Sequence, residues 1–350
     1  MKVGRKGLCI FLIGCMLFTG GCSRNEVTVA AQEKEDMIQI GMCFDSFVIE
    51  RWQRDRDVFV STAQSLGAKV DVQNANGDVN EQIAQIRYFI KQGVDVIAII
   101  AIDNGKLSEV VKEARKAGIK VLAYDRQISN AGADLYISFD NEKVGELMAQ
   151  GLAGQLPNGG SILMMCGSST DKNVEAVQNG FEKVAKEKNL EIKDVMYASG
   201  WKPEEVYTYL SANYRYLNDV DAIMCGNDSL AGQAVKYLAE RRMAGEILVS
   251  GQDADLDACQ RIVEGTQLMT VYKPVEKLAR VAAESAVALA KGEEIDTQEV
   301  ISDGTYEIPY IALEPITVNQ ENLDQVIIDR IILQRALVLD KKVLVLSFLC

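Results

Sequence analysis

The chain has 350 residues, of which 48% are hydrophobic and 25% are charged, proportions typical of a soluble globular protein. They exclude a disordered chain and a polytopic membrane protein, and the length suits two lobes better than one small core. With 37 Lys and Arg against 50 Asp and Glu, the net charge of −13 disfavours a nucleic-acid partner. The sequence contains no histidine, which excludes Ser-His-Asp and Cys-His nucleophiles and any His-bearing metal site.

The N-terminal segment predicts an exported protein held on a membrane by a lipid. A basic head is followed by an apolar run at 8–18 and then by Cys22. This order is typical of a secretory signal, and the run is too short to span a bilayer. We expect residues 1–21 to be a signal peptide, Cys22 to be lipidated, and residues 22–36 to be a polar tether on the outer face of the cytoplasmic membrane. An ordinary cleaved signal with a coincidental cysteine is the alternative.

From residue 37 the sequence alternates between strand-like and helix-like segments. The first series has predicted strands at 37–44, 68–75, 94–101 and 119–125, and predicted helices at 50–67, 80–93 and 107–118. After about residue 140 the alternation restarts, with strands at 161–167, 191–199, 220–228, 246–253 and 267–274, and helices at 142–156, 174–188, 204–217, 229–242, 258–265 and 277–292. Such alternation predicts an α/β fold of two similar doubly wound parallel-sheet lobes joined by a hinge.

Polar, charged and aromatic side chains gather where the predicted strands end. In an open parallel sheet this edge binds ligands, and the cleft between two lobes is the expected site. The side chains at these ends and in the loops beside them include Arg51, Trp52, Asp125, Arg126, Asn173, Trp201, Asn227, Asp253 and Lys273. Ser168, Ser169, Asp171 and Asp228 also follow strands. This mixture suits a neutral polyhydroxylated ligand, because each hydroxyl both donates and accepts while an indole packs on the C–H face of a sugar ring.

Structural interpretations compete with this one. Asp228 could be only the N-cap of the next helix, Arg126 could be a surface charge, and either tryptophan could be a core residue. The acidic run that starts at Asp253 has the spacing of an EF-hand loop, but Ala258 stands where the sharp turn needs glycine. There is also no P-loop and no GxGxxG motif. We therefore expect no metal and no cofactor.

Several segments carry a resemblance to a known family. They include ERWQRDRDVF at 50–59, YISFDNEKVGEL at 136–147 and SGQDADL at 250–256. Over residues 37–328 the chain resembles the D-xylose-binding members of the type I periplasmic sugar-binding proteins, which are solute receptors of sugar ABC importers. The resemblance selects nine ligand-binding candidates from the strand-end residues, because these nine match ligand contacts of the family: Arg51, Trp52, Asp125, Arg126, Asn173, Trp201, Asn227, Asp253 and Lys273. Lys172 departs from the family pattern, which tends to have asparagine there.

The resemblance also implies a domain organisation. Two lobes joined by three crossing strands would close on the sugar, with an N-terminal lobe of 37–139 plus about 275–305 and a C-terminal lobe of 140–274 plus about 306–328. The apolar tail at 331–350 is atypical of the family. It could pack on a lobe, contact a partner, or be a departure from the parent sequence.

The sequence leads to three hypotheses about the function of the protein. The leading hypothesis is a non-enzymatic extracytoplasmic receptor that binds D-xylose or a related monosaccharide and delivers it to an ABC permease. The alternative is a xylose sensor that docks on a membrane histidine kinase. A remote alternative is a pentose-acting enzyme with Asp125 and Asp253 as an acid/base pair.

Overall fold

The structure is a computed structural model that describes residues 37–297 and 299–328. The predicted signal peptide, the tether with Cys22 and the apolar tail at 331–350 lie outside the described residues.

Thirteen strands in the described residues form two sheets. The strands are β1 (Gln39–Phe44), β2 (Lys69–Asn74), β3 (Val96–Ile99), β4 (Lys120–Tyr124), β5 (Leu135–Phe139), β6 (Gly160–Cys166), β7 (Leu190–Tyr197), β8 (Ala222–Cys225), β9 (Leu248–Gln252), β10 (Met269–Tyr272), β11 (Glu299–Ser302), β12 (Glu307–Leu313) and β13 (Ile316–Asn319). The first sheet has the order β11-β12-β5-β4-β3-β1-β2, and the second has the order β13-β10-β9-β8-β6-β7. Only β11 and β13 pair antiparallel among these strands, as expected for edge strands on largely parallel sheets.

Nine α-helices accompany these strands in the same residues. They are α1 (Trp52–Ser65), α2 (Val79–Gln92), α3 (Ser108–Lys116), α4 (Asn141–Gln155), α5 (Lys172–Glu187), α6 (Glu204–Ala212), α7 (Asp228–Ala239), α8 (Leu256–Glu264) and α9 (Val275–Lys291). In the first lobe α1 packs with α9, and α2 packs with α3. In the second lobe α4 packs with α5, and α7 contacts both α6 and α8. None of the described helices combines the length and the apolar character that crossing a membrane requires.

Local sequence explains why these elements form where they do. The apolar run of β3 is buried along its whole length, as expected for a central parallel strand covered on both faces. α2 begins after Asp78, whose side chain accepts hydrogen bonds from the backbone N–H groups of Asn80 and Glu81. It ends at Gly93, which adopts the left-handed conformation that glycine tolerates.

The chain crosses between the two sheets three times. The crossings follow β5, β10 and β12. At the third crossing the structure differs from the expected boundary near residue 306. β12 pairs parallel with β5 in the first sheet, with Tyr310 opposite Tyr136, so the crossing falls after Leu313. The hairpin of β11 and β12 therefore extends the first lobe, and only β13 and the final turn return to the second.

Candidate ligand-binding site

All nine predicted site residues line a single cavity between the two lobes. The cavity lies at the carboxyl ends of the parallel strands. Its other polar wall residues include Asn141, Asp171 and Gln252, and its apolar wall includes Ile49 and Met224. The structure thus brings together side chains that are more than 200 positions apart in the sequence.

Arg51 is one of two arginines on the first-lobe wall. It precedes α1, is 1% exposed, and donates from Nη2 to Asp55 Oδ1 at 3.0 Å and to Asp125 Oδ2 at 2.8 Å. Its Nη1 lies 3.9 Å from Asp253 Oδ1 in the opposite lobe. Burial by itself would lower the pKa of Arg51, but these carboxylates hold it well above its ordinary value.

Arg126 joins the two lobes. Its Nη1 donates to Asp45 Oδ2 at 2.7 Å and to the carbonyl of Ala101 at 3.0 Å, both in the first lobe. Its Nε lies 2.7 Å from Asp171 Oδ2 in the second lobe. Arg126 is 3% exposed, so the interpretation of this residue as a surface charge is wrong. Burial nevertheless raises the pKa of both Asp45 and Asp171, because it outweighs the attraction of the arginine.

Asp125 and Asn173 form a second contact between the lobes. Asn173 Nδ2 donates to the Asp125 carbonyl at 3.0 Å, and Asn173 Oδ1 accepts from the Tyr136 hydroxyl at 3.2 Å. Burial by itself would raise the pKa of Asp125, but Arg51, Lys273 and Arg126 together hold it below its ordinary value. Asp125 is therefore an ionised acceptor at neutral pH.

The second-lobe wall is rich in carboxylates. Asp253 Oδ1 lies 2.8 Å from Lys273 Nζ. Behind it, Asp228 accepts hydrogen bonds from the Thr270 hydroxyl at 2.8 Å and from the Asp255 backbone N–H at 3.1 Å. Burial and the charge of Asp253 raise the pKa of Asp228 to about 7. Burial, then Asp253 and Asp228, raise the pKa of Asp255 to about 8.

The aromatic residues complete the wall. Trp201 lies directly over Gly167, where a Cβ atom would come within 2.3 Å of the indole, so glycine is required for this approach. The Trp201 indole N–H donates to Asp171 Oδ2 at 3.2 Å. Trp52 is 1% exposed and lies beneath Arg51, whose guanidinium carbon is 4.5 Å from the ring centroid. Both tryptophans are buried, as the alternative interpretation held, but they are buried in the cavity wall.

Three of the wall residues adopt left-handed backbone conformations. The φ angles are +62° at Asp125, +61° at Trp201 and +99° at Asp253. For a residue other than glycine this conformation costs of order 1–3 kcal/mol and persists only where the surroundings enforce it. The carbonyl of Asp125, for example, is held by the Ser138 hydroxyl at 2.6 Å. Strain concentrated at one cavity indicates that the positions of these side chains matter for function.

Among the buried polar atoms of the wall, Trp52 Nε1, a donor, and Gln252 Oε1, an acceptor, lack a hydrogen-bond partner. The orientation of the Gln252 amide is set by its nitrogen, which donates to the carbonyl of Gly226. Unpaired buried polar groups cost free energy, so the cavity is suited to a ligand that supplies both a donor and an acceptor.

Sequence reasoning left several participants out of the candidate set. Asp55 sits four residues after Arg51 on α1 and pairs with it, a spacing that could have revealed it. Asp171 stood among the strand-end residues but was not selected, although it pairs with Arg126. Asp45 directly follows β1 and so carried the same strand-end signal, but it was not included.

A predicted contact also has a capping role. Asn227, and not Asp228, is the N-cap of α7, and its Oδ1 accepts from the Leu230 backbone N–H at 2.9 Å. Within 37–297 and 299–328 no His, Cys, Asp and Glu side chains are grouped so that they could hold a metal ion.

Comparison with known proteins agrees with this geometry. The family described as "Periplasmic binding protein domain" matches residues 40–294. The D-xylose-binding periplasmic protein of Escherichia coli is 45% identical over 86% of this chain and 92% of its own length. The protein of the same name from Haemophilus influenzae is 43% identical over 83% of this chain and 89% of its own length.

Solved structures agree as well. A solute-binding protein of an ABC transporter from Clostridium phytofermentans, with bound β-D-glucose, superposes with a TM-score of 0.75 at 25% identity, covering 83% of this chain and 97% of that one. These relatives and the matching family are named for binding, so this chain is a binding protein and not an enzyme, as predicted. The chain therefore belongs to the periplasmic binding protein family, with the type I fold of two α/β lobes that the sequence predicted.

Proposed function

We propose that the protein is an extracytoplasmic receptor that binds D-xylose by closing its two lobes on the sugar. The observation that carries this proposal is the cavity itself, where buried cations and carboxylates of both lobes surround two indole rings. Charged groups of both signs hydrogen-bond hydroxyls from either side, and each such bond contributes about 1.5–3 kcal/mol. The names of the relatives that share 43% and 45% of their sequence with this chain support xylose as the sugar.

The proposed role in transport rests on closure. Arg126 contacts Asp45 in one lobe and Asp171 in the other, so its guanidinium is fully paired only when the lobes meet. A sugar that contacts both walls stabilises this closed arrangement of the lobes. An ABC permease would then recognise the closed arrangement. We further propose that Cys22, which lies outside the described residues, anchors the protein through a lipid on the outer face of the cytoplasmic membrane.

Calorimetric titration tests the proposal. The purified protein, residues 23–350, is titrated with D-xylose, D-ribose, L-arabinose and D-glucose. We expect one-to-one binding of D-xylose with a Kd near the micromolar range, which corresponds to about −8 kcal/mol, and weaker binding of the others. The sequence has two tryptophans, and both line the cavity, so intrinsic fluorescence gives an independent readout. Absence of binding to any pentose would overturn the proposal.

A further inference from the structure

The two lobes are also joined by hydrogen bonds at a place that the sugar cavity does not include. Asn104 follows β3 in the first lobe, and its backbone N–H and its side-chain Nδ2 each donate to the Thr170 carbonyl at 3.1 Å. Thr170 follows β6 in the second lobe, and its hydroxyl donates to the Ile102 carbonyl at 3.0 Å. Neither Asn104 nor Thr170 lines the cavity that contains the nine candidate residues.

This contact is held from both sides. The Asn104 side chain also accepts from the Ser129 hydroxyl at 3.2 Å, which orients its amide so that the nitrogen faces Thr170. The Thr170 hydroxyl lies 3.0 Å from that of Ser168. Thr170 is itself exposed. When the lobes separate, water therefore replaces the hydrogen bonds that join Thr170 to Asn104 and Ile102.

The position of Thr170 connects this contact to the site. The next residue is Asp171, which pairs with Arg126 and accepts from the Trp201 indole. Fixing the Thr170 carbonyl against Asn104 thus fixes the start of the segment that carries Asp171. By contrast, the other bonds between the lobes, such as Asn173 to Asp125, use residues of the cavity wall.

We propose that Asn104 and Thr170 are positioning residues that set the affinity for sugar by stabilising the closed arrangement of the lobes, without contacting the sugar. The proposal rests on the proposed sugar-binding function. A receptor that binds productively only when closed has an apparent Kd equal to the intrinsic Kd divided by the closed fraction. Loss of these bonds lowers that fraction by the same factor for every sugar, so affinity falls while sugar preference does not change.

The test compares Asn104→Ala and Thr170→Val with the parent protein. Each variant removes one side-chain hydrogen bond between the lobes, and Thr170→Val preserves the shape of the side chain. We expect Kd to rise about three- to tenfold in each variant, as befits the loss of one partly exposed hydrogen bond. The rise is expected to be the same for D-xylose and for a weaker-binding pentose, and to come from faster release in stopped-flow tryptophan fluorescence.

Asn213→Ala is the matched control, because Asn213 Nδ2 donates to Tyr209 at 2.9 Å within one lobe. Its Kd is expected to equal that of the parent. Unchanged Kd in both Asn104→Ala and Thr170→Val would overturn the proposal, as would a changed ratio of the Kd values for the two sugars. If the parent bound no sugar at all, the proposed function itself would fail, which is a different result.

Discussion

The two walls of the cavity differ in charge balance. On the first-lobe wall and directly behind it, two arginines accompany three buried carboxylates, whereas on and behind the second-lobe wall one lysine accompanies four. The first group consists of Asp45, Arg51, Asp55, Asp125 and Arg126, and the second of Asp171, Asp228, Asp253, Asp255 and Lys273. On the first wall burial raises the pKa of Asp45 and Asp55, but the cations hold that of Asp125 below its ordinary value. On the second wall burial and neighbouring carboxylates raise the pKa of Asp228 to about 7 and of Asp255 to about 8.

Pairs of opposite charge join the two walls. The arginines of the first wall reach carboxylates of the second, with Arg126 Nε 2.7 Å from Asp171 and Arg51 Nη1 3.9 Å from Asp253. Separation of the lobes breaks both pairs. A neutral sugar between the walls adds hydrogen bonds to groups that are already in place.

The largest expected effect comes from removing the arginine that joins the walls. Arg126→Met leaves both Asp45 and Asp171 buried without a cation, and an uncompensated buried charge costs about 3–5 kcal/mol. We expect the Kd for D-xylose to rise at least about 100-fold, measured by calorimetry. Arg87→Met is the control, since it removes only an exposed pair with Glu113 and is expected to leave Kd unchanged. Equal affinity of Arg126→Met and the parent would refute the role of the arginine.

The next largest effect concerns Asp255 behind the second-lobe wall, and it changes the free energy of unfolding. The folded-state pKa of Asp255, about 8, lies above the ordinary value of 3.8, so the native protein holds the proton more tightly. Stability therefore falls as pH rises from about 4 to about 8 and levels off above that. Asp255→Asn removes this loss, and we expect it to raise the free energy of unfolding at pH 8 by roughly 1–3 kcal/mol, with the gain shrinking as pH falls towards 4.

Urea denaturation at several pH values measures this change. Asp257→Asn is the control, because Asp257 is an exposed carboxylate two residues further on in the same helix. A gain of the same size in Asp257→Asn, or a gain that is independent of pH, would contradict the assignment to Asp255.

The smallest expected effect on affinity concerns Gln252, a neutral residue of the second wall. Gln252→Met removes the buried acceptor Oε1 from the cavity wall, and we expect the Kd for D-xylose to rise about five- to tenfold through one lost hydrogen bond. Gln85→Met is closely matched, because Gln85 is also buried with an unpartnered Oε1 but lies outside the cavity. Comparable loss of affinity in both variants would indicate a general packing defect instead.

Much of the fold could be predicted because its signals are local. The predicted helix at 80–93 corresponds to α2 (Val79–Gln92), and the predicted strand at 161–167 to β6 (Gly160–Cys166). The predicted helix at 204–217 instead divides into α6 and a 3₁₀ turn at Tyr214–Asn218. The individual strands β5, β11, β12 and β13 were not predicted, because they interrupt the strand-helix alternation: β5 follows β4 without a helix between them, and no helix separates β11, β12 and β13.

The local pattern of residues was enough to predict the alternation of strands and helices, and hence which polar side chains stand at strand ends. The spacing of Arg51 and Asp55 also indicates that they can pair, because residues four apart on a helix share a face. The tertiary structure alone decided that Arg126 pairs with Asp45 and Asp171, that β12 belongs to the first sheet, and that Asn104 meets Thr170. These contacts join distant parts of the chain, so their geometry depends on how whole sheets pack and not on any local pattern of residues.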